Sequence, residues 1–315
     1  MKAEEKFSLL TRNVAEIIGE EKLKDLLKKK NPIVYVGYEP SGDIHIGHYV
    51  GVLKLKDFED AGFKVKILLA DWHAWLNKKG DWKFIDEQVK KWEKAFKKIG
   101  LKNPEIIVGT SFQKKSSYLD DVFTLAGNST INRGVRAMQG VARDIEYAKV
   151  TQIIYPFMQV ADMKALKVDV ALSGMEQRKI HMIAVENLKE IGYKTPVFIH
   201  TFLIPSLKGA DKGKMSSSED DSLISIKDSK KDIEKKISKA YCPQGQENPV
   251  LDIAKLLIFP YFGKVKVSRE KKFGGDIVYL SYEDLEKDFM GKKLHPMDLK
   301  KVVGEKLDEM FEKVR

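Results

Sequence analysis

Residues 35–49 read YVGYEPSGDIHIGHY, and changes of pattern within and around them decide the fold. The apolar, β-branched run 33–36 predicts a buried strand, Pro40-Ser41-Gly42 breaks it, and 46–58 resumes with helical spacing. The segment is therefore a strand, a turn and a helix start. At such a junction the first backbone N–H groups of the helix are unpaired and point outward, which suits a phosphate, and Gly47 lacks the side chain that would hold a nucleotide away. His45 and His48 flank the spot one helical turn apart. Two imidazoles placed this way can donate to phosphate oxygens as charge builds on them, which is electrostatic stabilisation and not covalent chemistry. The plainer reading is a strand-to-helix turn with two surface histidines.

The same unit recurs outward from this stretch. VKILLA at 65–70, residues 106–108 after a helix at 84–99, VDVAL at 168–172 and 197–200 are apolar runs of strand length. Strands alternating with helices predict an α/β fold with a doubly wound parallel sheet. Ligands bind beyond the carboxyl ends of such strands, so 35–48, 71–73 and 111–113 are expected around one crevice. Residues 4–29 carry Leu9, Val14, Ile17, Ile18, Leu23, Leu26 and Leu27 at helical spacing and read as two consecutive helices. Beyond 222 the pattern turns helical (230–240, 249–258, 282–290 and 296–314), which puts a domain boundary near 220.

The chain has 315 residues, 43% of them hydrophobic, enough for one large domain and a smaller one. Its 56 Lys and Arg exceed its 46 Asp and Glu, a net +10 that fits a polyanionic partner and equally a soluble basic protein. The single Cys242 excludes an intramolecular disulfide and a cysteine-held zinc, and it points to a reducing compartment. No structural metal is expected. There is no secretory leader pattern at the start and no apolar run of membrane-spanning length, so the expected location is cytoplasmic.

In 150–166, Tyr155, Gln159 and Asp162 fall at i, i+4 and i+7 on one face, among Ile153, Ile154, Phe157, Met158, Val160 and Met163. Buried polar groups persist only with partners, so the stripe implies a ligand that supplies them, unless the helix is merely amphipathic. At 173–181, SGMEQRKIH, the sheet again delivers a turn and a helix start. There the carboxylate of Glu176 can accept from ribose hydroxyls, and the amide of Gln177 can bind an amine. Residues 206–221, SLKGADKGKMSSSEDD, have loop composition, with Lys214 and the three serines 216–218 able to close over a triphosphate. The helical stretch 116–149, interrupted near Gly127-Asn128, carries Arg133, Arg136 and Arg143. In the tail, Phe273-Gly274-Gly275 and LHPMDLK at 294–300 offer an aromatic, a histidine and an acid for an unpaired base, although Asp298 is equally a first-turn helix acid.

PSGDIHIGH at 40–48 resembles the HIGH signature of class I aminoacyl-tRNA synthetases, in particular the tyrosine and tryptophan subgroup, and KMSSS at 214–218 resembles the mobile K-M-S-K-S loop of that family. Tyr155-Pro156-x-Met158-Gln159-x-x-Asp162 is similar to the tyrosine-pocket helix of tyrosyl-tRNA synthetases. SGMEQR looks like their GG-x-[DE]-Q-R segment with Ser173 in place of a glycine. KFGGD and LHPMDLK are similar to archaeal and eukaryotic members. After the serines, acidic Glu219 and Asp220 stand where many relatives have a lysine.

The resemblance implies a Rossmann-like catalytic domain over 1–219 with a connective insertion at 114–150, and a mainly helical anticodon-binding domain over 220–315. It implies two steps: ATP and L-tyrosine give tyrosyl-adenylate and pyrophosphate, and tRNA(Tyr) then takes the tyrosyl group. His45, His48 and Lys214 are the implied catalytic donors. ATP would be held by these with Gly37, Pro40, Ser41, Gly42, Gly47, Glu176, Met215, Ser216 and Ser217. Tyrosine would be held by Tyr35, Glu39, His73, Tyr155, Gln159, Asp162 and Gln177, with Asp162 and Tyr35 on the phenol. Arg136, Arg178 and Lys179 are implied at the acceptor stem, and Phe273, His295 and Asp298 at the anticodon. Mg2+ is expected with ATP, and a homodimer is expected through the insertion. A tryptophanyl enzyme, a small-molecule nucleotidyltransferase and a non-charging RNA-binding paralogue are the other readings.

Overall fold

A computed structural model of the chain describes every residue except 142–146, 210–221 and 246–247. The chain divides into two compact units, Met1–Gly42 with Lys54–Phe202, and Asp43–Leu53 with Leu203–Arg315.

The first unit is built on a six-stranded sheet. Its strands are β1 (Val14–Ile18), β2 (Ile33–Tyr38), β3 (Lys64–Leu69), β4 (Glu105–Val108), β5 (Val170–Gly174) and β6 (Val197–Thr201), in the order β1-β6-β5-β2-β3-β4. Every neighbouring pair is parallel except β1 with β6. β6 is buried along its whole length, and Val34, Tyr35 and Val36 of β2 are buried too, as apolar runs covered on both faces should be. The helices of this unit are α1 (Ala3–Thr11), α2 (Glu20–Leu26), the later part of α3 (Ile46–Asp60), α4 (Asp71–Leu76), α5 (Trp82–Phe96), α6 (Thr110–Gln113), α7 (Ser116–Gly127), α8 (Ile131–Met138), α9 (Val150–Ala165) and α10 (Arg178–Asn187).

The second unit takes the first turns of α3 together with α11 (Lys230–Lys239), α12 (Pro249–Ile253), a π-helical stretch (Ala254–Ile258) and α13 (Phe259–Phe262). The hairpin β7 (Val265–Val267) and β8 (Ile277–Tyr279) follows, then α14 (Tyr282–Met290) and α15 (Pro296–Glu312).

Three features differ from the sequence reading. The expected pair of helices over 4–29 is interrupted by β1. Val14, Ile17 and Ile18 are β-branched and lie between Asn13 and Gly19, both at positive φ (51° and 92°), so the chain breaks on either side and pairs with β6. In the tail, a hairpin stands among the helices, its three-residue strands too short to print a periodicity. Finally, the units part at Phe202/Leu203 and not near 220, and the second one gathers in Asp43–Leu53. Backbone hydrogen bonds account for that: Ile46 donates to Ile224 and Ile226 donates to Ile44, each at 3.0 Å.

Candidate active site

At the carboxyl ends of β2 and β5, which are paired through Tyr35 and Ala171, the first unit opens a cleft of about 400 Å³, open solvent included. Tyr35, Glu39, His73, Tyr155, Gln159, Asp162 and Gln177 all line it, together with Gly37, Ala70, Leu172, Ser173 and His181. The residues expected to hold tyrosine are thus brought together. β2 supplies Tyr35, α4 supplies His73, α9 supplies its polar stripe, and the turn after β5 supplies Gln177.

Asp162 is 0% exposed. Its Oδ1 accepts from Gln113 Nε2 and from Tyr118 Oη, both at 2.8 Å, whereas its buried Oδ2 has no hydrogen-bond partner among the described residues. Burial pushes the Asp162 carboxyl up to about 7, with Gln113 and Tyr118 pulling the other way. His73, pushed down to about 3 by burial, is neutral and stands edge-on to Tyr155, the ring centroids 4.7 Å apart. Tyr35 keeps its proton, because burial and the Asp162 charge both raise it well above the usual phenol range. The cleft therefore ends in a carboxylate oxygen that lacks a donor, beside a neutral hydroxyl.

Of the two donors to Asp162, Gln113 falls in the stretch expected at the crevice, whereas Tyr118 is one the sequence reading did not single out. Tyr118 lies 44 residues from Asp162. Asp71 serves from behind the cleft: its carboxylate accepts from the backbone N–H groups of Trp72 and Thr110, each at 2.9 Å. A Cβ at Gly109 would stand 2.5 Å from Gln113 Oε1 and 2.8 Å from Asp71 Oδ1, so both side chains would have to shift to admit one. Ser111, expected at the crevice, is exposed and donates to the Val108 carbonyl instead. At the other side, Glu39 accepts from Asn77 Nδ2 at 3.0 Å. Gln177 Oε1 and Glu176 Oε2 are buried with no partner among the described residues, two acceptors awaiting donors.

The second unit holds His45 and His48, their ring centroids 3.8 Å apart. The helix start they occupy differs from the expected open anion site. The Ile46 N–H bonds the Ile224 carbonyl, the Gly47 N–H bonds His45 Nδ1 at 3.1 Å, and the His45 N–H bonds His48 Nδ1 at 3.2 Å. Local and long-range partners have taken the backbone donors. In exchange the two imidazoles are oriented, since an Nδ1 that accepts from backbone leaves the proton of a neutral ring on Nε2. Both rings are neutral: burial lowers His45 to about 4, and burial with His45 close by lowers His48 well below the usual range. Gly47 is needed because a Cβ would come within 2.9 Å of His45 Cε1. Of the other expected ATP residues, Pro40 is buried and Gly42 gives its carbonyl to Trp92 Nε1 at 2.7 Å. Lys214, Met215, Ser216 and Ser217 lie outside the described residues, as does Arg143.

The family model described as tRNA synthetases class I (W and Y) matches residues 27–312. The chain belongs to the class I tRNA synthetases (W and Y). This synthetase is 47% identical to a tyrosine–tRNA ligase of Archaeoglobus fulgidus, over 99% of this chain and 97% of the relative. It is 48% identical to a tyrosine–tRNA ligase of Methanobrevibacter smithii, over 100% of this chain and 98% of the relative. Its fold superposes on a crystal structure of tyrosyl-tRNA synthetase complexed with L-tyrosine from Archaeoglobus fulgidus with a TM-score of 0.96, at 45% identity, covering 100% of this chain and 99% of that one.

The synthetase presents its expected RNA-facing residues unevenly. Arg136 on α8 is exposed and makes no side-chain hydrogen bond or ion pair among the described residues. Arg178 is tied to Glu16, Nε to Oε2 at 2.8 Å, and Lys179 reaches Gln139 Oε1 at 2.6 Å. Phe273 is 61% exposed, with Lys272 Nζ 4.9 Å from its ring centroid. His295 caps α15, its Nδ1 accepting from the Met297 N–H at 3.2 Å, and Asp298 follows in the first turn. Among the described residues no cluster of His, Cys, Asp or Glu could hold a metal ion, and no helix is long and apolar enough to cross a membrane.

Proposed function

We infer that this synthetase is a tyrosine–tRNA ligase. The observation that carries the reading is the unpartnered, fully buried Asp162 Oδ2 in a cleft it shares with Tyr35, since a phenol brings the one donor that oxygen lacks. The relatives named above are tyrosine enzymes, and the tryptophan reading is set aside. Measured over all twenty amino acids, ATP–pyrophosphate exchange should respond to L-tyrosine alone; exchange driven by tryptophan, or by none, would overturn the assignment.

In the first step a tyrosine carboxylate oxygen attacks the α-phosphorus of ATP and pyrophosphate leaves. In the second a ribose hydroxyl of the tRNA 3′ adenosine attacks the tyrosyl carbonyl and AMP leaves. No protein nucleophile is needed, so the residues act by positioning and by stabilising charge. Tyr35 and Asp162 take the phenol. Tyr155, Gln159 and Gln177 take the ammonium group, with Glu39 and His73 completing the pocket. The Nε2–H groups of His45 and His48 donate to the phosphates, Glu176 accepts from the ribose, and Lys214 with Met215, Ser216 and Ser217 closes on the pyrophosphate. Gly37, Pro40, Ser41, Gly42 and Gly47 let the nucleotide approach. Mg2+ enters as the companion of the ATP phosphates, and no dedicated carboxylate cage is assigned to it.

In this reading the part of the chain beyond 220 reads the anticodon through Phe273, His295 and Asp298. Arg136, Arg178 and Lys179 approach the acceptor stem. A homodimer is favoured by the exposed apolar side chains Phe123 (64%), Ile131 (74%) and Val150 (75%) on α7, α8 and α9. Ile131→Asp should then shift the sedimenting species from dimer to monomer. A cytoplasmic location fits the single cysteine and the tRNA substrate.

A further inference from the structure

Behind the cleft two buried histidines and the half-buried Glu16, none of them used by the proposed mechanism, form a chain of polar groups. His181 Nδ1 and His200 Nε2 are 2.9 Å apart, and His200 Nδ1 is 2.9 Å from Glu16 Oε2. Glu16 is held in turn by Arg178 Nε. The two rings are 1% and 0% exposed. Glu16 and His200 are facing residues of the antiparallel β1–β6 pair, so the strand that departs from the parallel sheet is the one that supplies the carboxylate.

The carboxylate sets the direction of every bond in the chain. The Arg178 guanidinium holds Glu16 below the usual carboxylate range, so Glu16 is ionised and can only accept. His200 Nδ1 must therefore carry a proton. Burial keeps both rings neutral, so His200 Nε2 is bare and accepts from His181 Nδ1–H. That leaves His181 Nε2 without a proton, and it has no hydrogen bond among the described residues. His181 lines the cleft beside Gln177, whose Oε1 is a second acceptor with no partner among the described residues. Two acceptor-bearing residues lining one cleft suit a ligand rich in donors, and an ammonium group has three N–H bonds and no lone pair.

We propose that Glu16 and His200 are positioning residues that lock His181 with its proton on Nδ1, so that Nε2 accepts from the α-ammonium group of the amino-acid substrate alongside Gln177. The proposal deepens the tyrosine reading and rests on it. Its consequence is a tautomer-dependent site: the same ring with its proton on Nε2 would point a donor at a cation.

The test is ¹⁵N NMR of the histidine-labelled full chain. His181 should show a protonated Nδ1 and a bare Nε2. The Nε2 resonance should move on adding L-tyrosine and stay in place on adding 3-(4-hydroxyphenyl)propionate, which lacks the ammonium group. In Glu16→Gln the amide can donate to His200, and the proton order along the chain can reverse. The Kd for L-tyrosine should then rise about tenfold, with that for the propionate unchanged. A wild-type His181 protonated on Nε2, or a Glu16→Gln chain that loses both ligands equally, would overturn the relay. Failure of the wild type to bind either ligand would overturn the tyrosine reading, and the ammonium assignment with it, while the tautomer measurement stands apart.

Discussion

His73 Nε2 stands 3.6 Å from Asp162 Oδ2, beyond hydrogen-bond reach, and neither atom has another partner among the described residues. Asp162 Oδ2 is therefore the acceptor the cleft offers a substrate hydroxyl. With the free carboxyl titrating at about 7, the ionised form is the stronger acceptor, so a donating phenol lowers that pKa on binding. Tyrosine affinity should be flat above pH 7 and fall as the pH drops below it, by up to about tenfold per pH unit. Calorimetry between pH 5.5 and 8 reads this directly. Tyr118→Phe removes a donor from Oδ1 and should move the midpoint upward; a Kd independent of pH would take the phenol away from Asp162.

The same carboxyl has a stability consequence. Its folded pKa lies well above that of an ordinary aspartate, so the folded chain binds the proton more tightly than the unfolded one, and stability declines as the pH rises from about 4 to about 7. The full effect of a group moved by about three pKa units is roughly 4 kcal/mol. Asp162→Asn should therefore raise Tm at pH 8 and flatten the slope of stability between pH 4 and 7. An unchanged slope would mean that Asp162 is not strained by burial.

Replacing both phenol partners tests amino-acid choice. Phenylalanine leaves Asp162 and Tyr35 desolvated and unpaired, a penalty that removal of those groups abolishes. Rejection by about 10⁵ without editing is a value known for tyrosyl-tRNA synthetases as a class and is not read from these residues. The double variant Asp162→Ala, Tyr35→Leu should lose most of the tyrosine-over-phenylalanine ratio in kcat/KM and admit para-substituted phenylalanines. A ratio equal to that of the wild type would place phenol recognition elsewhere.

His48→Ala should slow adenylate formation with tyrosine affinity preserved, because its Nε2–H meets charge that grows only on the way to the transition state. Loss of one such donor costs about 3 kcal/mol, roughly a hundredfold. Rapid-quench adenylation at wild-type speed would remove the histidine from the mechanism.

Asp298→Ala separates the two ends of the reaction. Charging of tRNA(Tyr) should weaken by about 1–3 kcal/mol, the worth of a lost base contact, with tyrosine-dependent exchange nearly unaffected. Equal losses in both assays, accompanied by a lower Tm, would make Asp298 a first-turn helix acid and nothing more.

What the sequence determined by itself was whatever is written in local periodicity. The β-branched run 33–36, the punctuation at 40–42 and the helical spacing from 46 fix a strand, a turn and a helix. Tyr155, Gln159 and Asp162 share a helix face because 3.6 residues make a turn, wherever that helix lies. Tertiary structure decided the partners. Whether Val14–Ile18 is helix or strand depended on the free edge of β6, and the helical spacing of its apolar residues was coincidental. Tyr118 meets Asp162 across 44 residues, and His200 meets Glu16 across 184, so no local pattern records either pair. The helix start at Ile46 looked open to an anion because its unpaired N–H groups are a local property, and the carbonyl of Ile224, which takes one of them, arrives from far along the chain. Sequence spacing places a side chain on a face. Only packing settles which donor reaches it, and therefore which atoms, such as Asp162 Oδ2, are left for a substrate.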